Sequence, residues 1–334
     1  LGDPINTEPF DLLRTLANDH EESVRWNVAE NPSAPGDVLR ILANDDDEDV
    51  RRSVAGNAST PLDVLIGFAT GDDALCRRCV SWNVSAPFEI LRSLAQDNDL
   101  LGRRCVAGNV SAPVDVLRAL AKNDDSWVRR SVAGNVSAPV DVLRILATDS
   151  EEAVRQSVSW NVSAPIFVLQ TLSSDDDRSV RCCVAGNPFT PVDFLSMLAS
   201  DNAARVRMFV GANPRTPVDV LHTLASSETY LRKSVAGNVS APVDVLRVLA
   251  TDDDEDVRTR VAWNVSAPVD VLRILAADNA RGVRCGVGGN EAAAVTHSRS
   301  SGVPVTSDRL QESPKSANRT ARRFRPPTLE LPEH

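Results

Sequence analysis

Apolar residues recur along this chain in two alternating stripes. Val142, Leu143, Leu146 and Ala147 fall at helical spacing and mark one face of a short helix. Val154 and Val158, four apart, mark a second. The spacing predicts two helices per unit. The second, Val154–Trp160, is expected to be the shorter and to wind partly as a 3₁₀ helix, because a single apolar pair gives it little to pack. No stretch alternates with period two over a useful length, so no sheet is expected. The pattern then repeats. NVSAPVDVLRILATDSEEAVRQSVSW from Asn135 returns as NVSAPVDVLRVLATDDDEDVRTRVAW from Asn238, and eleven copies of about 26 residues fill residues 6–290. A unit this short cannot bury its own apolar face, so the copies must stack as a solenoid.

The register is set by Asn at 6, 31, 57, 83, 109, 135, 161, 187, 213, 238, 264 and 290. Every step is 26 except the first and the step into Asn238, which are 25. A Pro follows four residues after the Asn in every copy but the first, from Pro35 to Pro268, and is suited to the first position of a helix. Thr60, Thr190 and Thr216 stand where an N-cap would, with Asp63, Asp193 and Asp219 at the capping-box position. Most copies read Ser-Ala-Pro instead, where Ser would cap one residue earlier; the sequence leaves both open. Gly56, Gly108, Gly134, Gly186 and Gly237 close the second helix. Trp82, Trp160 and Trp263 fill that same slot, so left-handed backbone is not compulsory there.

The string Asn-x-(Ser/Thr)-x-Pro-x-(Asp/Glu)-x-Leu-x-x-Leu-Ala-x-Asp, followed by Val-Arg-x-x-Val-Ala-x-Asn, resembles the variant leucine-rich repeat of bacteria over residues 6–290. The resemblance implies an α-helix alternating with a 3₁₀ helix in a right-handed superhelix without strands. The HEAT repeat, whose second helix carries a similar Asp…Val-Arg pattern, is the near alternative. The family's founding member binds an iron–sulfur cluster through cysteines ahead of its repeats. This chain has no cysteine before Cys76, so that feature does not carry over, and no cofactor is expected.

Two segments follow. Residues 1–290 form the repeat array; residues 291–334, rich in Ser, Pro and Arg and free of the repeat, are expected to be a disordered tail. The chain opens on Leu1, which reads as a fragment, and the eleventh copy degenerates at Gly282, Gly286, Gly288 and Gly289, as if a frame change had cut the array short. No run of about 18 apolar residues offers a membrane span, and no secretory signal opens the sequence, so a cytoplasmic location is expected.

Candidate chemistry changes this picture little. The six cysteines make no disulfide framework: Cys79, Cys105 and Cys183 share one slot, and stacked helices sit about 8–10 Å apart, beyond the reach of a disulfide. Cys76 and Cys79 lack the second pair that a zinc site needs. The histidines pair with no nucleophile, and no Gly-rich phosphate loop is present, so no enzyme is expected. Asn57, Asn83, Asn109 and Asn135 begin a structural ladder that bonds backbone at a fixed turn. Arg51, Arg77, Arg103 and Arg129 belong to a second ladder, running from Arg25 to Arg284. It is read as a brace to the first-helix carboxylates (Asp37, Asp63, Glu89, Asp115) or to loop carbonyls of a neighbouring copy. The sharper reading is a row of phosphate contacts, joined by a second, less regular set on the first helix (Arg14, Arg40, Arg92, Arg118, Arg144, Arg247 and Arg273) along one face.

The loops between helices carry acid, densest at Asp45, Asp46 and Asp47 and at Asp252, Asp253 and Asp254. Stacking makes them an acidic edge. The whole chain carries −10, which disfavours nucleic acid and favours a protein partner with a basic surface. Trp82, Trp160 and Trp263 are candidate anchors for that partner. The sequence therefore predicts an all-α, right-handed solenoid acting as a non-catalytic protein-binding scaffold. A HEAT-like array that binds nucleic acid through its Arg ladders is the alternative.

Overall fold

The structure, a computed structural model, describes residues 9–290. The tail expected to be disordered and the frame change proposed for it lie outside these residues. Among the described residues the chain forms twenty-two α-helices and no strand. They alternate in chain order as a first and a second helix per copy, Val140–Leu146 and Glu152–Trp160 in the copy that begins at Asn135. The fold is an all-α repeat solenoid.

Two details differ from expectation. The second helix is the longer of the pair, usually nine residues against seven, and it is α-helical throughout. In six copies the acidic loop caps its start. Asp47 accepts hydrogen bonds from the N–H groups of Asp49 and Val50, and Asp73, Asp99, Asp125, Asp177 and Asp254 do the same in their copies. Each cap satisfies donors that a helix terminus leaves open, but the uncapped helices Glu152–Trp160 and Ala204–Ala212 also start two residues ahead of their first buried Val, so the cap reinforces this start and does not set it.

The first helix begins one residue after the Pro, which stays extended (Pro61, φ −61°, ψ 149°), and no side chain caps it. Thr60 is not an N-cap: its hydroxyl donates backward to the Val54 carbonyl at 2.5 Å, and Thr190 does the same to Val184. Serine in this turn reaches the preceding copy instead, Ser137 donating to the Val110 carbonyl at 2.7 Å. The closing glycines do not take left-handed backbone; Asn57 follows Gly56 in extended conformation.

Most copies fill the core from the same five slots. In the copy from Asn135 these are Val142, Leu143, Leu146, Val154 and Val158, none more than 1% exposed. Full burial of such a side chain stabilises by roughly 1.5–3 kcal/mol, so the apolar stack dominates each junction. The core is continuous apart from one seam at the helix Leu62–Thr70, where Leu65 is the sole buried residue and Phe68 packs against both parts.

The second helices stack closely on one another along the array, whereas the first helices touch their counterparts at few points. Two rows with equal numbers of units and unequal spacing make a curve, with the closely spaced row inside. Second helices therefore line the concave face. The loops within copies and the Asn turns between copies lie on opposite edges.

Candidate functional site

The surface is best read by separating the side chains that hold copies together from those left over. The Asn ladder is wholly structural. Asn135 donates through Nδ2 to the carbonyl of Asn109 at 2.8 Å, which opens the preceding copy, and to that of Ala107 at 2.9 Å, just ahead of it, and its Oδ1 accepts from the Ser137 N–H at 2.8 Å. Asn57, Asn83, Asn109, Asn161, Asn187, Asn213, Asn238, Asn264 and Asn290 reach back in the same way, all of them buried.

The Arg ladder reaches the other way. Arg129 grips Asp149 of the following copy with two bonds of 2.7 and 2.9 Å, while its remaining nitrogen donates to the Asn123 and Asp124 carbonyls of its own loop. Arg25–Asp45, Arg77–Asp97, Arg155–Asp175, Arg181–Asp201, Arg232–Asp252 and Arg258–Asp278 repeat the pair. The ladder is a brace, but its partners are the loop aspartates and not the first-helix carboxylates. Those pair with a separate, outer set: Arg14–Asp37, Arg40–Asp63, Arg92–Asp115, Arg118–Asp141 and Arg247–Asp270. The inner Arg129 and Asp149 side chains are 15% and 8% exposed, the outer Arg118 and Asp141 53% and 44%. An exposed pair contributes about 0–1 kcal/mol, so the inner ladder carries the larger share. Three rungs are missing: Gly71, Asn123 and Ser227 stand where Arg51, Arg103 and Arg207 would find an Asp; Arg103 keeps a buried Nε without a partner, and Arg207 bonds the Tyr230 hydroxyl instead.

This bonding thins the acidic edge. Asp45 and Asp252 are held by Arg25 and Arg232, and Asp47 and Asp254 cap helices, Asp254 also facing Lys233. The Arg25 guanidinium holds the Asp45 carboxyl below the usual carboxylate range against the opposing effect of burial. Asp46 and Asp253 project into solvent with no ion pair, and Asp72, Asp124 and Asp176 occupy the same slot. The opposite edge is apolar: Val84, Val110, Val136, Val162, Val239 and Val265 are each about half exposed.

The tryptophans lie on the concave face. Trp82, Trp160 and Trp263 are 57%, 45% and 43% exposed, and each ring spreads over the glycine one copy on. A Cβ on Gly108 would stand 2.9 Å from Trp82 Cη2, one on Gly186 equally close to Trp160, and one on Gly289 at 2.5 Å from Trp263. This explains why a Trp in that slot is always followed 26 residues later by Gly. Each indole is half packing and half surface. Trp127, in another slot, carries the guanidinium carbons of Arg104 and Arg130 over its ring, 4.9 and 5.1 Å from the centroid. Sequence reasoning missed this cluster because its members belong to different copies and slots. An open groove of about 490 Å³ near the N-terminal end of the same face is lined by Trp26, Asp47, Asp49 and Arg52 among others.

No family model matches the chain, and no curated protein matches it. Solved structures do. The chain is similar to a leucine-rich repeat variant. The likeness spans 66% of this chain and 88% of that one, at 24% identity and a TM-score of 0.46. It is also similar to an engineered protein, at 17% identity and a TM-score of 0.31, over 86% of this chain and 98% of that one.

No group of three or more His, Cys, Asp or Glu side chains suited to a metal occurs among the described residues, and none of the helices there is long and apolar enough to cross a membrane. The cysteines are unbridged. Burial pushes the thiols of Cys76 and Cys183 up to about 12 and that of Cys105 to about 11, which keeps them protonated and unreactive. Titration with a thiol reagent at pH 8 is expected to label exposed Cys285 quickly and these three only on unfolding. Rapid labelling of Cys76 in the folded protein would contradict the packing described.

Proposed function

We propose that the chain is a non-catalytic protein-binding scaffold whose working surface is the concave, second-helix face. One observation carries this reading. The slots that hold the fold keep their residue in copy after copy, while slots on the concave face change. The slot of Arg130 holds Trp26, Arg52, Arg78, Arg104, Gln156, Cys182, Met208 and Lys233 in other copies. The frame tolerates all of these. A constant frame with a varied face is what recognition by side-chain identity requires. Half-exposed Trp82, Trp160 and Trp263 supply large rigid contact area on that face.

The exposed carboxylates Asp46, Asp72, Asp124, Asp176 and Asp253 add a dotted acidic edge that favours a partner with a basic surface nearby. The nucleic-acid alternative has less support. Most arginines of both rows already hold aspartates, so phosphate contact would have to break those pairs.

The test is selection of peptides from a random library against the full chain, with affinities then measured on two sets of variants. Trp160→Glu and Gln156→Glu on the concave face are expected to abolish binding. Ile145→Glu and Val248→Glu, on exposed sites of the first helices, are expected to leave it intact. Binders sensitive only to the first-helix variants would overturn the proposal.

A further inference from the structure

The concave face changes character over three successive copies. There the slot of Trp127 holds Leu75, Leu101 and Trp127, 38%, 44% and 44% exposed. One helical turn away, the slot of Arg130 holds Arg78, Arg104 and Arg130. An apolar row thus runs beside a cationic row, and residues three apart on a helix share a face. On either side the apolar row ends, at Asp49 and at Ala153.

The charge in this strip is unbalanced. Arg78 is held by Asp99 through bonds of 2.5 and 2.9 Å. Arg104 and Arg130 make no ion pair or hydrogen bond to any described residue; both rest on the Trp127 ring. Burial and the neighbouring Arg104 charge both press the Arg130 guanidinium toward its neutral form. Two like charges gathered on one aromatic ring, in a chain with ten more acidic than basic groups, are held together without a counter-charge of their own.

We propose that this strip binds an acidic amphipathic segment of another protein, with carboxylates on Arg104 and Arg130 and apolar side chains on Leu101 and Trp127. The repeat pitch suits such an occupant. Stacked helices lie about 8–10 Å apart, and an α-helix rises about 10.5 Å in seven residues. A helix bearing one carboxylate and one apolar residue per heptad would meet successive copies in step. A polynucleotide has the right sign, but it would bring a continuous line of phosphates past a chain that is acidic overall, whereas a short segment places its charge on the strip alone. The inference deepens the scaffold reading and rests on it.

The experiment uses the full chain and a fluorescent peptide of about two heptads carrying Glu and Leu at those positions. A Gln-for-Glu peptide, a Lys-for-Glu peptide and a single-stranded oligodeoxynucleotide of similar length serve as comparisons. The Glu peptide is expected to bind, with affinity about tenfold weaker for the Gln peptide and for the double variant R104A/R130A. Arg118→Ala, on the outer row, should change nothing, and the helical circular-dichroism spectrum and melting of all variants should match the parent. Equal binding of Glu and Gln peptides, indifference to R104A/R130A, or preference for the oligonucleotide would overturn the inference. If only the Lys peptide binds, and Trp160→Glu abolishes it, this inference fails while the scaffold reading survives. If no peptide binds here and the library selection also yields nothing on the concave face, both fail.

Discussion

Replacing Asn161 with Asp should unfold this protein more readily than replacing it with Ala, although Asp is the closer match in shape. Asn161 donates to the Ala133 carbonyl at 2.7 Å and the Asn135 carbonyl at 2.9 Å, and accepts from the Ser163 N–H at 2.8 Å, all within a buried junction. Alanine orphans these groups, and an unsatisfied buried polar group costs about 1–3 kcal/mol, so a loss of about 3 kcal/mol is expected. An ionised Asp keeps the accepting oxygen but aims negative charge at two carbonyl oxygens. The loss at pH 7 should exceed that of Ala by about 1 kcal/mol or more. Protonation restores one donor, so the gap between the two variants should narrow as the pH falls toward 5. Urea unfolding of both variants across that range measures the effect. An Asp variant as stable as the parent at pH 7 would falsify the ladder's role.

Acid should dismantle the inner ladder as a group. The carboxyls of Asp45 and Asp278 sit below their ordinary range, chiefly because Arg25 and Arg258 bond them. At Asp149, Asp201 and Asp252 burial opposes the charged form most strongly. Arg129, Arg181 and Arg232, aided by backbone N–H groups, still bring the net shift down. A carboxylate whose folded value is depressed stabilises fully above its unfolded value, about 3.9, and loses that contribution as pH falls through the folded value. Stability should therefore be flat from about pH 8 to about pH 5 and then fall steeply below about pH 4. The steepness comes from several rungs titrating in one cooperative stack. Asp149→Asn should lower stability at pH 7 by about 1–3 kcal/mol and make the acid limb shallower. Urea midpoints against pH provide the check. A decline that begins between about pH 7 and 6 would assign the acid sensitivity to other groups.

The repeat, its two helices and its buried Val and Leu slots were legible because each depends on neighbours a few residues apart. Legibility stopped where partners lie one copy away. The sequence places Arg129 and Arg118 on different helices of the repeat, but not their partners: one is clamped to a loop aspartate and the other to a first-helix aspartate, and only the stacking geometry decides which. Thr60 looked like a cap because its position matched, but the turn points its hydroxyl back to Val54. The Trp–Gly complementarity did leave a trace, since Gly108 and Gly186 follow Trp82 and Trp160 at one full period. Reading it required treating positions 26 apart as neighbours. The Arg104–Trp127–Arg130 cluster left no such trace, because it crosses both copies and slots.

Each ladder Asn from Asn57 to Asn290 reaches backward across a joint and most inner arginines reach forward across one, so most joints are fastened from both sides by parts that the modules themselves supply. Length is then a free variable of this architecture. Excising one whole period from the middle would join ends that already fit, while shifting which side chains face each other across the concavity. Gain and loss of modules could thus rewrite what the surface recognises without any new solution to the problem of folding.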